Sequence, residues 1–134
     1  MPFVLVNSVV TGWYLPDKAT IYCQAIASRL GYDKALVPAL WQQELANVLK
    51  TACTRAKLNL ESAREILDAL GALPIEIAAG AGPGQRQLFE LAMRYKRGSY
   101  DAVYLELAMR YGLPIATQDV QLKEAAIAAG VAVL

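Results

Sequence analysis

The chain has 134 residues, of which 56% are hydrophobic and 19% charged, and it carries a formal net charge of +1 at pH 7. This length fits one domain over 1–134 with a sizeable core, and no apolar run approaches the ~18–20 residues of a membrane span. The near-zero charge supplies no field that demands nucleic acid or membrane, and the absence of histidine excludes Ser-His-Asp catalysis, Cys-His catalysis and histidine-ligated zinc.

The opening, MPFVLVNSVVTGW, lacks the basic region and long apolar core of a signal peptide, so a cytoplasmic protein is expected. Phe3 to Val6 is an apolar run with β-branched content, and an extension to Val10 is open. It predicts a strand buried on both faces, broken at Thr11-Gly12. Pro16-Asp17 suits a helix opening, with Ile21, Ala25, Ile26 and Leu30 at helical spacing and Gly31 at the end. Trp13, Tyr14 and Tyr22 fall in this region and suit either an exposed interface or the core. Ala35 to Val37 is a second strand, stopped by Pro38.

A long helix is predicted from about Ala39 to Ala56, with Trp41, Leu45, Val48, Leu49, Ala52 and Cys53 as its apolar stripe. Glu44 falls within that stripe. A buried unpaired carboxylate is costly, so Glu44 needs a partner, a metal or a functional reason, unless it reaches water at the stripe's edge. Asn59 is a good cap for a helix from Leu60 to Leu70, closed by Gly71. Pro74 to Ala78 is a third strand. A helix over Gln85 to about Lys96 follows, and that helix and another from Ser99 to a turn at Gly112 flank the central unit of strand 114–117. A strand from Pro114 to Thr117, a helix from Val120 to about Ala129 and a strand from Val131 to Leu134 complete the chain. Strands alternate with crossovers long enough for parallel pairing. The expected fold class is therefore α/β: three layers, α/β/α, around a mainly parallel sheet. Cys23 and Cys53 stand alone in helical patterns and read as buried free thiols, not a disulfide. ELAMRY occurs at Glu90–Tyr95 and again at Glu106–Tyr111 without further matching, which reads as two amphipathic helix ends that pack alike.

The glycine-rich AGAGPG at Ala79–Gly84 follows a strand and precedes a helix, as a phosphate-binding turn would. It lacks the dinucleotide spacing and a Walker lysine, and reads as a loop. The stretch SYDAVYLELAMRYGLPIATQD, Ser99 to Asp119, organises the rest. Helical rise carries the chain roughly 16 Å from Asp101 to Gly112, and strand rise brings it back about as far by Asp119. Asp101 and Asp119 should thus meet at the carboxyl rim of the sheet, where open α/β sheets bind ligands. Each also has an ordinary structural role open to it: an acid in a first helical turn complements the dipole, and an acid before a helix is a cap. Glu44 lies within two turns of its helix's start, near the same rim. Three oxygen-bearing side chains with no histidine suit Mg²⁺ or Mn²⁺, which would support in-line phosphodiester hydrolysis. Arg94, Lys96 and Arg97 precede Ser99 and suit either an RNA backbone or a solvated helix end.

With these residues in place, the chain resembles the PIN-domain ribonucleases, and in particular the VapC toxins of bacterial toxin–antitoxin pairs. The resemblance covers nearly the whole chain. It is carried by NSVVTGWYLP at Asn7–Pro16, PALWQQELANVL at Pro38–Leu49, SYDAVYLELA at Ser99–Ala108 and TQDVQLKEAAIAAGV at Thr117–Val131. It implies divalent-metal-dependent RNA cleavage, with tRNA or another structured RNA as substrate, a homodimer and a VapB-like antitoxin. By the same resemblance Glu44, Asp101 and Asp119 are catalytic metal-site acids, and Ser8, Asn47 and Thr117 support the site. The family ends its first strand with Asp. Aligning Ser8, Val9 and Trp13 puts Val6 at that place, while Asn7 fits only if one residue is missing before Trp13. A nuclease scaffold with reduced or absent activity is the expectation, through either a disarming substitution or a natural loss.

Overall fold

The structure, a computed structural model, describes residues 1–134. Four parallel strands form one sheet in the order β3-β2-β1-β4: β1 is Phe3–Leu5, β2 Ala35–Val37, β3 Ile75–Ile77 and β4 Ile115–Ala116. Seven helices flank it: α1 Asn7–Tyr14, α2 Ile21–Arg29, α3 Leu40–Thr54, α4 Leu60–Gly71, α5 Gln85–Tyr95, α6 Ser99–Tyr111 and α7 Val120–Ala128. β1 pairs on both sides and is fully buried, which is why its sequence is an unbroken apolar run and not an alternating one. Tyr104, Leu105 and Leu107 of α6 and Val9 and Val10 of α1 join Phe3 to Leu5 in the core. On α3 the buried stripe is Trp41, Leu45, Leu49 and Ala52. Asn59 caps α4 by accepting from the Ser62 N–H at 2.7 Å.

Three expectations need correction. The first strand stops at Leu5, and Asn7 already begins α1. Val9 and Val10 are buried on that helix, so their β-branched content serves packing and not strand pairing. Gly12 lies within α1, where it lets Cys23 of α2 come close. The helix expected from Pro16 is split into a single 3₁₀ turn, Pro16–Lys18, and α2. Thr20 caps α2 by accepting from the Cys23 N–H at 3.1 Å. The last predicted strand is reduced to one parallel bridge between Ile115 and Val133, because β4 itself offers only two residues to pair with. Trp13, Tyr14 and Tyr22 pack against the core, and the Trp13 indole N–H donates to the Cys23 carbonyl at 2.7 Å. Both cysteines are free, Cys23 buried and Cys53 half-buried.

The ELAMRY repeat exposes a weak point in α5. After its copy, α6 turns off through Gly112 at φ 63°; after the other copy, α5 makes the same left-handed turn through Lys96 at φ 55°. A side chain in that region costs about 1 kcal/mol that glycine avoids. Lys96→Gly is therefore expected to stabilise the fold by about 0.5–1 kcal/mol. The check is a higher urea midpoint at an unchanged m-value.

Candidate functional site

In the strand order β3-β2-β1-β4, the chain leaves β1 toward β2 and later returns to pair β4 on the other side. The carboxyl ends of β1 and β4 therefore flank a switch point, the usual ligand position of an open α/β sheet. A hydrogen-bonded seam joins the two ends. Ser8 Oγ lies 3.2 Å from Thr117 Oγ1 and accepts from the Gln118 N–H at 2.9 Å. The Gln118 side-chain amide donates to the Ser8 carbonyl at 2.8 Å, and the Asp119 N–H to Thr117 Oγ1 at 3.1 Å. Thr117 is fully buried. Ser8 and Thr117 thus hold the turn after β4, which aims Asp119.

Asp119 caps α7: its Oδ1 accepts from the N–H groups of Gln121 at 2.9 Å and Leu122 at 3.3 Å. Asp101 sits in the first turn of α6. Arg97 lies between them. Its Nε and Nη2 donate to Asp101 Oδ2 at 3.0 and 2.7 Å, Nη2 stands 3.6 Å from Asp119 Oδ2, and Nη1 donates to Gln121 Oε1 at 2.6 Å. The two aspartates therefore converge as the helix-out, strand-back geometry requires. Each also takes its structural role at a helix N-terminus, so the two readings coexist.

Glu44 is half-buried at the edge of the α3 stripe, and Oε1 accepts a hydrogen bond from the Tyr104 hydroxyl of α6. Burial, first, and then the Glu44 hydrogen bond and the charges of Glu44 and Asp101 push the Tyr104 hydroxyl far above its usual pKa. It remains a protonated donor that ties Glu44 to the helix of Asp101. Burial also raises Tyr14 and Tyr22. A folded-state pKa above the unfolded value of 10.0 favours the fold fully below that pH, and the advantage is lost as pH rises further. Urea midpoints should accordingly hold steady below pH ~10 and fall above it, and Tyr104→Phe should flatten that fall.

Asn47 is exposed one turn beyond Glu44 and takes no part in the seam. Arg94 and Lys96 are exposed and line, with Arg97, Gln121 and Glu124, a groove of about 340 Å³ beside the acids. Arg97, by contrast, directs its guanidinium to Asp101 and Asp119. Tyr104, Gln118 and Gln121 escaped the sequence reading. A tyrosine one helical turn after Asp101 and a glutamate in need of a partner were the available signals for Tyr104. The Ala79–Gly84 loop closes an apolar cleft of about 200 Å³ whose sole charged lining residue is Arg110, and Arg110 is paired with Glu106 at 2.8 Å. No unpaired cation on its lining is left for a nucleotide's phosphates.

A divalent cation needs several oxygens converging on one point. Nowhere do three Asp, Glu, Cys or His side chains gather closely enough to hold one. In this arrangement the aspartates converge on a guanidinium, Glu44 is engaged by Tyr104, and Val6, just after β1, offers no side-chain oxygen. As arranged, these residues do not fit a metal ion.

A family model described as PIN domain matches residues 3–128. No curated protein shows significant sequence similarity to the chain. Among solved structures, the crystal structure of PAE2754 from Pyrobaculum aerophilum is similar in fold, with a TM-score of 0.66 and 21% identity over 93% of this chain and 79% of that one.

Proposed function

The chain belongs to the PIN domain family, whose members are generally metal-dependent nucleases, and on that premise we propose that it is a VapC-like endoribonuclease toxin in a disarmed form. The observation that carries this reading is the meeting of Asp101 and Asp119 on Arg97 at the β1/β4 switch point, with Glu44 tied to the same helix through Tyr104. In this reading the acids are the catalytic and metal-site positions, for Mg²⁺ or Mn²⁺, and the missing element is a carboxylate at Val6. Exposed Arg94 and Lys96 supply charge for an RNA backbone beside the acids. No helix is long and apolar enough to cross a membrane; the cytoplasm is the location this reading proposes. Exposed Phe89 and Met93 on α5 and Tyr100 on α6 are apolar surface that a homodimer or a VapB-like antitoxin would cover.

A second reading, binding of RNA or antitoxin without chemistry, is favoured by one observation: the charge between the acids is neutralised from within. The deciding test is cleavage of total tRNA in Mg²⁺ and in Mn²⁺ by this chain, Val6→Asp and Val6→Asp/Asp101→Asn. Cleavage by Val6→Asp alone supports the disarmed nuclease. Silence of all three, with RNA still retarded in a gel, supports the binding protein.

A further inference from the structure

Arg97 differs from its basic neighbours. Its side chain is 18% exposed, while Arg94 and Lys96 are open to solvent. The left-handed turn at Lys96 produces this difference. It lets the Arg97 N–H donate to the Ala92 carbonyl at 3.0 Å, which reverses the chain and turns the side chain toward the start of α6. The guanidinium then bonds α6 through Asp101 and α7 through Gln121, and faces Asp119. A planar fork of this kind holds its orientation better than a lysine ammonium would.

We infer that Arg97 is a built-in counter-ion that closes the Asp101–Asp119 pair to external cations, so that a divalent ion reaches these carboxylates only when the guanidinium leaves. This rests on the reading of the two aspartates as cation-site positions. The argument is one of charge and space. A cation seated between the carboxylates needs the oxygen that Arg97 Nε and Nη2 already occupy, and it would meet a fixed positive charge. The adjoining groove gives the displaced side chain room, with Glu124 on its lining as another partner. In the unsubstituted chain the site is held shut by its own guanidinium, and a further carboxylate at position 6 would favour the cation over it.

The test is calorimetric titration of MnCl₂ into the full chain, Arg97→Met, Arg97→Gln and Arg97→Met/Asp101→Asn, each first shown by circular dichroism and thermal melting to be folded. Removing one unit of charge beside a doubly charged ion should tighten Mn²⁺ binding by about tenfold or more. Arg97→Met keeps the aliphatic stem; Arg97→Gln gives the same readout if the methionine variant fails to fold. The gain should vanish in the double variant. Equal Mn²⁺ binding by the unsubstituted chain and both single variants overturns the inference, as does a gain that survives Asp101→Asn. RNA cleavage is a separate readout. Tighter Mn²⁺ binding without any cleavage by Val6→Asp would leave the counter-ion role standing and sink the nuclease reading.

Discussion

Val6→Asp is expected to raise Mn²⁺-dependent RNA cleavage by about a hundredfold or more over the unsubstituted chain, the scale on which single preorganised charged or polar groups act in active sites. Position 6 is built to accept the change. Val6 is the N-cap of α1 at φ −96° and ψ 146°, makes no side-chain cap, and precedes a first turn with no acid in it. Aspartate is a preferred cap in that conformation and complements the helix dipole. Its backbone bond, the Val6 N–H to the Ala116 carbonyl at 3.1 Å, ties it directly to the strand that leads to Asp119. Val6 is 8% exposed, so its loss removes some apolar burial, but the new cap offsets roughly 1 kcal/mol of that. A buried carboxylate without a partner is costly, so the variant should melt below the parent, and a gain in cleavage despite that loss would not reflect better folding. A folded Val6→Asp that cleaves no better than the parent would remove position 6 from the site.

Gly12→Ala is expected to lower stability by about 2–3 kcal/mol, at the upper end for overpacked cores, and the melting temperature by roughly 10 °C. A Cβ at Gly12 would fall inside contact distance of Cys23 Sγ and lie 3.0 Å from both Cys23 Cβ and the Lys18 carbonyl oxygen. Cys23 is fully buried and cannot swing aside, and the Lys18 carbonyl is backbone, so α1 and α2 must separate. Cys23→Ala in the same chain removes the sulfur and should restore part of the loss, a coupling that a double-mutant cycle measures. Simple additivity of the two substitutions would mean that the helices do not meet at this point.

The alternation of strands and helices was legible because each element carries its own pattern. An apolar run before Pro38 marks β2, an Ile-Glu-Ile alternation after Pro74 marks β3, and the capping residues Asn59 and Asp119 mark α4 and α7 at their observed starts. The meeting of Asp101 and Asp119 was legible too, since a helix out and a strand back nearly cancel in length. Two features were not. The start of α1 at Asn7 was hidden because Val9 and Val10 suit a buried helix face as well as a strand. The Arg97 bridge was hidden because its basic neighbours share its composition, and only the turn at Lys96 separates them.

The ELAMRY copies show where local sequence stops deciding. Both copies form helix, both stack arginine on the following tyrosine, with Arg94 over Tyr95 at 5.6 Å and Arg110 over Tyr111 at 5.0 Å, and both end in a left-handed turn. Those outcomes are shared by both copies and involve only residues within one or two turns, the residue after each copy included. Burial does not follow. Glu90 is exposed on α5, whereas Glu106 on α6 is 5% exposed and paired with Arg110. α6 packs against β1 while α5 packs on α6, so one copy enters the core and the other covers it. By itself the sequence determined most of the elements, the caps at Asn59 and Asp119 and the approach of two aspartates, all set by short-range geometry. Only the tertiary structure decided which helix is interior and which cation sits between the acids, because both depend on contacts between segments distant in the chain.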